Sequence, residues 1–297
     1  MKKIMLLVSV CLMLTNKAVC ATIVFAPYSS TEKDPELLTL WNSDDTVQEA
    51  AAAQDKPLTH RVKLANSKDS RVIISVFNSG VEVIGHNGDE VIIEAEGGNE
   101  APPARAKGLK PLYNSAEDNT GLGLAVTKDN NTLRISKASR QDGNYVIRIP
   151  KNAAVVYEET NWTGDNLALS DMNGEIELKL NNSTARLTNV TGPVIANTTA
   201  GDIIVKFSSL NQAKPSAISS VAGAVDVTLP PNTKANLKLK SIQGEIYSDF
   251  DMNLGKNTKS GLPRVAGGDT IEGTTNGGGV EMSLYTISGD MFIRKSK

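Results

Sequence analysis

Cysteine is almost missing from this 297-residue chain. There are two, Cys11 and Cys20, and both fall in the first twenty residues. If that stretch is removed after Cys20, the remainder has no disulfide, no thiolate nucleophile and no cysteine-based metal site. Histidine is equally scarce, with only His60 and His86, so a histidine-rich metal or acid–base centre is not expected. Aromatic residues make up 4% of the chain, too few for a helical enzyme core. Charge of one sign is also lacking. Lys plus Arg number 31 and Asp plus Glu 33, for a net charge of −2. Such an interspersed, mildly acidic surface does not suggest nucleic acid or an anionic membrane as partner. After residue 21 no apolar run is long enough to span a bilayer.

Residues 1–21 read as a secretory signal. Lys2-Lys3 form the basic start, Ile4 to Leu14 the apolar core and Ala18-Val19-Cys20-Ala21 the small-residue exit. The chain is therefore expected in the periplasm or at the cell surface. Residues 22–60 form a polar segment, with a short helix expected over Val47 to Gln54. From residue 61 the alternation is that of strands. Arg71 to Phe77, Val81 to Ile84 and Glu90 to Ala95 are separated by Asn78-Ser79-Gly80 and by His86-Asn87-Gly88-Asp89. Asn-Gly between alternating runs predicts a β-hairpin. Residues 97–122 break the pattern with a long irregular loop. Its Arg105, Lys107, Lys110 and Tyr113 are candidate ligand-binding residues for an acidic sugar or a peptide.

The last third is dominated by a recurring unit. A glycine is followed by alternating polar and apolar residues, as in Asn173-Gly174-Glu175-Ile176-Glu177-Leu178 and Ser288-Gly289-Asp290-Met291-Phe292-Ile293. The turn glycines are Gly174, Gly192, Gly201, Gly223, Gly244, Gly278 and Gly289. Spacings near twenty residues, or half of that, mark a stacked architecture. Glycine is expected at each turn because it adopts positive φ without steric cost. Thr198, Ser220, Ser241 and Thr286 stand three residues before a glycine, with Asp171 in the first copy. Short hydroxyl side chains there can bond nearby backbone groups. The expected fold is all-β, a single-stack β-solenoid (parallel β-helix-like) over 61–297 with an N-terminal β-hairpin region. An antiparallel β-sandwich is the alternative.

The acids Asp165, Asp171, Glu175, Glu177, Asp202, Asp226, Glu245, Asp249, Asp251 and Asp290 mostly follow a turn glycine or alternate outward, as solvated residues would. Asp249, Asp251 and Asn253 alternate as in calcium loops, but the glycine at 255 and Ser260 do not fit an EF-hand. Dinucleotide and Walker fingerprints are absent from the sequence, and no catalytic residue, metal or cofactor is expected.

The glycine–acid–aliphatic units resemble the bacterial putative-adhesin family, an envelope-exported family of unknown function related to the head GIN-type adhesin domains. Thr286 to Lys295 looks like the usual ending of that family. Ile149-Pro150-Lys151-Asn152-Ala153 and Leu229-Pro230-Pro231 are similar to its strand exits. The similarity covers roughly residues 62–297, most clearly 145–297. It implies a β-solenoid at or near the cell envelope, without enzymatic activity. The signal, the repeats and the missing chemistry point to a scaffold that binds an envelope protein or glycan. A carbohydrate-active enzyme on a β-helix and a periplasmic regulator of envelope stress are the other readings.

The inward/outward assignment is open to a direct check. Ile203→Asp or Val227→Asp should lower the unfolding free energy by about 3 kcal/mol or more through an unpaired buried charge. Glu177→Gln should change it by less than ~0.5 kcal/mol. Denaturant midpoints of the three variants decide the matter, and similar losses in all three would refute the assignment.

Overall fold

The computed structural model describes residues 58–65, 69–96, 104–109, 116–254 and 270–297, all within one compact unit, Gln54–Lys297. The signal reading, the short helix at 47–54, and the candidate residues Lys110 and Tyr113 lie outside the described residues. So do Gly255 and Ser260 of the calcium-loop comparison.

The described residues are all-β apart from one 3₁₀ turn at Ala104–Ala106. They form two mixed sheets whose pairings are mostly parallel. The central ladder is built from short strands that alternate between the sheets. β8 (Ala154–Glu159), β10 (Ile176–Leu180), β12 (Val194–Ala200) and β14 (Ser216–Ala222) lie in one, called sheet B. β9 (Leu167–Ser170), β11 (Ala185–Val190), β13 (Ile203–Phe207) and β15 (Val225–Leu229) lie in the other, sheet A. One strand of each makes a coil, and each coil pairs in parallel with the next. Ile176 thus stands opposite Val194, and Ile203 opposite Val225.

Strand alternation decides what is buried. In β10, Ile176, Leu178 and Leu180 are buried while Lys179 is exposed; in β15, Val225, Val227 and Leu229 are buried. Ile203 and Val227 both lie at full burial. Each such aliphatic contributes about 1.5–3 kcal/mol. The inner faces of both sheets join one continuous apolar core. The outer face of sheet B carries ion pairs between coils. Arg71 bonds Glu177 at 2.6 Å and Lys179 bonds Glu158 at 2.7 Å.

The order of coils in space differs from their order in the chain at both ends. β20 (Val280–Thr286) lies between β14 and β16 (Ala235–Ser241), and β21 (Met291–Lys295) between β15 and β17 (Ile246–Ser248). The coil 280–295 therefore inserts beneath the coil 235–248. At the other end, β2 (Arg71–Val76) and β3 (Ser79–His86) lie between β8–β9 and the coil of β6 (Thr132–Lys137) and β7 (Gly143–Pro150). Antiparallel strands cover three of the four sheet ends. These are β1 (Leu58–Lys63) with β4 (Glu90–Glu96), β5 (Leu124–Asp129), and β18 (Asn253–Leu254) with β19 (Thr270–Thr275). Terminal strands of this kind shield the edges of the sheets.

Two expectations are corrected. The Asn87-Gly88 hairpin does not form, since β3 and β4 share a sheet but β7 lies between them. β3 gains parallel partners on both sides there, β7 and β9. Those two ladders outweigh the local turn. Positive φ is likewise not the general reason for the turn glycines. It is found at Gly201, Gly223 and Gly278, but not at Gly174, Gly192, Gly244 or Gly289.

Close approach is the broader cause. A Cβ on Gly201 would overlap the carbonyl of Ser183, on Gly223 that of Gly201, on Gly289 that of Gly223, and on Gly244 that of Gly289. This column runs up the corner where the chain passes from sheet B to sheet A. A second column occupies the opposite corner, where Gly192 meets the carbonyl of Gly174 and Gly174 that of Ala153. The irregular spacing thus resolves into two columns half a coil apart. Gly278 belongs to neither and sits in the turn between β19 and β20.

Gly289→Ala should therefore cost about 3 kcal/mol or more, because backbone cannot yield as a side chain does. Gly277→Ala, with positive φ but open space around it, should cost only about 1 kcal/mol. Thermal or denaturant unfolding of the two variants separates close approach from backbone conformation.

Candidate functional site

The corners hold the polar features of the molecule. At the B-to-A corner the hydroxyl column is buried and satisfied by turn carbonyls. Thr198 Oγ1 donates to Ala200 O at 2.8 Å, Thr286 Oγ1 to Gly289 O at 2.7 Å and Ser241 Oγ to Gly244 O at 2.8 Å. The acids after the corner glycines cap the neighbouring coil. Asp202 Oδ1 accepts from Ala224 N at 2.8 Å, and Asp290 Oδ1 from Glu245 N at 2.9 Å. Other acids of the repeats are in exposed ion pairs, Glu175 with Lys214 and Asp226 with Arg294. Asp171 stands apart from the hydroxyl column. It occupies the opposite corner at φ 61° and accepts from Asn189 Nδ2.

Two clefts open at the ends of sheet A. The first, about 300 Å³, lies at the B-to-A corner and is lined by Asn78, Gly80, Asp142, Asn144, Thr163 and Asp165. Its rim is held by short-range bonds. Thr163 Oγ1 lies within hydrogen-bond distance of both Asn78 Oδ1 and Asn161 Oδ1, to one of which it donates, and Asn78 N donates to Thr163 O at 3.1 Å. Asn181 Nδ2 in turn holds Asn161 O at 2.9 Å. Trp162, next to Thr163 along the chain, is 60% exposed, which is unusual for so large an apolar side chain. The rim of amides, carboxylates and a hydroxyl offers directional hydrogen bonds, and Trp162, adjoining Thr163 in the chain, offers exposed apolar surface.

The second cleft, about 280 Å³, lies at the opposite corner against His86, Lys151, Asp171, Asn173 and Asn189. His86 is pinned. Its Nδ1 accepts from Gly88 N at 2.9 Å, so Nε2 is left to donate to Glu90 O at 2.8 Å. That is the bonding of a turn residue with a structural task.

Beneath the outer coil lies a buried amine. Lys137 is only 2% exposed, and its Nζ donates to Tyr145 Oη at 2.7 Å, which donates to Leu122 O at 3.0 Å. Burial pushes the Lys137 ammonium down to about 8, against a smaller opposing pull from Asp142. Burial, with Asp118 adding to it, pushes the Tyr145 hydroxyl up to about 12. The pair ties the segment at 122 to the end of the stack.

Of the candidate binding residues, Arg105 and Lys107 are exposed on or beside the 3₁₀ turn, and neither lines a cleft. Asp249 Oδ2 accepts from Lys295 N at 3.3 Å, and Phe250 between the two acids is buried. Among the described residues, no group of three or more His, Cys, Asp or Glu side chains is placed to hold a metal ion. No helix among them is long and apolar enough to cross a membrane. Sequence reasoning passed over Trp162 and the Asn78–Asn144–Thr163 rim. Their only signal is an exposed-type turn, Asn161-Trp162-Thr163-Gly164, holding a tryptophan in a chain that has two.

The Lys137 pair makes a pH prediction. An unfolded lysine keeps its proton to about 10.4, whereas the folded one releases it near 8. Between those values the unfolded state binds more protons, so stability should rise with pH. Below 8 the contribution is flat. Tyr145 acts oppositely, but only above about pH 10. The unfolding free energy should therefore climb from pH 8 to 10, and Lys137→Met should flatten that slope.

Comparison with known proteins comes from two directions. Several solved structures match this chain over most of its length. A "putative cell adhesion protein" from Clostridium sporogenes is 13% identical, covering 81% of this chain and 100% of its own, with a TM-score of 0.39. A "putative adhesin" from Bacteroides fragilis is 13% identical over 82% and 98%, at 0.38. A "putative lipid binding protein" from Parabacteroides distasonis is 10% identical over 82% and 98%, at 0.30. No curated protein matches the chain. Residues 166–294 of this chain, from β9 through β21, match the DUF4097 family, described as Toastrack.

Proposed function

We propose that this protein is a non-enzymatic, exported binding module of the cell envelope, built as one continuous β-solenoid stack, and that its ligand is a glycan. The observation that carries this reading is the polar cleft at the B-to-A corner, lined by Asn78, Asn144, Asp142, Thr163 and Asp165, with the exposed Trp162 next to Thr163 in the chain. Sugars present apolar faces and many hydroxyls. Such a site supplies a flat apolar surface and paired donors and acceptors at little ordering cost. The unbroken run of parallel pairings through sheets A and B supports the single stack. The apolar leader at residues 4–14 supports export, to the periplasm or the cell surface.

A glycan and envelope-fragment array probed with the purified protein, with and without calcium, tests the reading. Saturable binding is expected, and Trp162→Ala or Asn144→Ala should weaken it tenfold or more with unchanged thermal stability. Loss on Arg105→Ala or Lys107→Ala instead would move the site to the 104–113 loop. A blank array from folded protein would overturn the glycan reading. Shortened glycan products in the same incubation would overturn the non-enzymatic one.

A further inference from the structure

The repeat is broken at two positions, and the breaks meet in space. In the glycine column Ser183 occupies the rung between Gly164 and Gly201. In the hydroxyl column, Glu159 stands two coils from Thr198, at the same register with Leu180 between. Both substitutions add oxygen to the interior. Glu159 is only 8% exposed and Ser183 is as deeply buried as the aliphatic core. Glu159 Oε2 accepts from Asn181 N at 2.6 Å and from Asn182 N at 3.1 Å. Glu159 Oε1, Ser183 Oγ and the hydroxyl of the fully buried Tyr157 have no hydrogen-bond partner among the described residues. Glu159 Oε1 and Ser183 Oγ both crowd the point where a Cβ on Gly164 would stand. Tyr157 shares the inward face of β8 with Glu159, and its hydroxyl is pushed up by burial first and then by Glu159 and Asp165.

Two of these unpartnered oxygens, Glu159 Oε1 and Ser183 Oγ, share one cell beneath Gly164, with Tyr157 on the same inward face of β8 as Glu159, and leaving buried oxygens unpaired is costly. We propose that Glu159, Ser183 and Tyr157 hold one alkali-metal cation beneath Gly164. The donor set is all oxygen, which suits a hard cation. It carries one formal negative charge, so a monovalent ion neutralises it, whereas a divalent ion would leave net buried charge. Gly164 is also part of the wall of the cleft above, and Asp142 and Asp165 on that wall favour the approach of a cation. The site does not depend on glycan binding, and its test needs no glycan.

The test is thermal unfolding of the purified protein in sodium, potassium or choline chloride at equal ionic strength. The folded state alone has the cell, so occupancy stabilises it. Tm should be about 3 °C or more higher with the preferred alkali ion than with choline, and should saturate with its concentration. Glu159→Gln should abolish the dependence, and Ser183→Ala should raise the half-saturating concentration tenfold or more. Crystals soaked in thallium(I) should show an anomalous peak bonded to Glu159 Oε1, which serves if the variants fail to fold. Equal Tm in all three salts, or no thallium peak at Glu159, overturns the proposal in favour of bound water or a protonated acid. A cation dependence that survives in Glu159→Gln overturns it by placing the ion elsewhere.

Discussion

Backbone lies against backbone at the corners, and the rest of the architecture depends on that approach. The carbonyl of one coil fills the space where the next coil would carry a Cβ. Strands can then stay in parallel register on both sheets, and their inward aliphatics meet without a gap. The approach leaves polar groups at the corner that water cannot reach. The Thr and Ser column answers those carbonyls, and the aspartates after the glycines answer the amides. Gly, hydroxyl and Asp therefore form one device, in which each residue type meets a demand created by another.

The β class, the inward faces and the corner residues were legible in the sequence, because a period of two and a recurring glycine are local signals. The two-column arrangement was less so. A glycine at 192 and one at 201 look alike, yet they sit on opposite corners. The placement of β20–β21 beneath β16–β17 was not legible at all. Nothing local says which coil lies next to which when every coil offers the same register. The missing hairpin at Asn87-Gly88 has the same cause: a favourable turn lost to two long parallel ladders.

The polar clefts were illegible for another reason. Asn78, Asn144 and Thr163 come from three successive rungs, so no stretch of sequence contains the site. The pair Glu159 and Ser183 left a trace that can be read afterwards. Val155, Tyr157 and Glu159 continue one inward phase, and an acid in that phase is out of place. Departures from a repeat are where a repeat protein has freedom to specialise, since the regular rungs already supply stability. The cleft at the B-to-A corner and the buried oxygens beneath it both lie where this chain departs from its own pattern.

The interleaving of coils has a consequence for biogenesis. A stack built in chain order can grow as it emerges, each new coil landing on a finished edge. Here residues 71–86 must wait for 132–170, and residues 235–248 have no seat until 280–295 arrive. A polypeptide folding from its N-terminus would remain open at its far end until nearly all of it was available. A product broken off before residue 280 would expose the unclosed edges of β14 and β15, a natural mark for proteolytic disposal. The fold thus closes only when its last coil, 280–295, is in place.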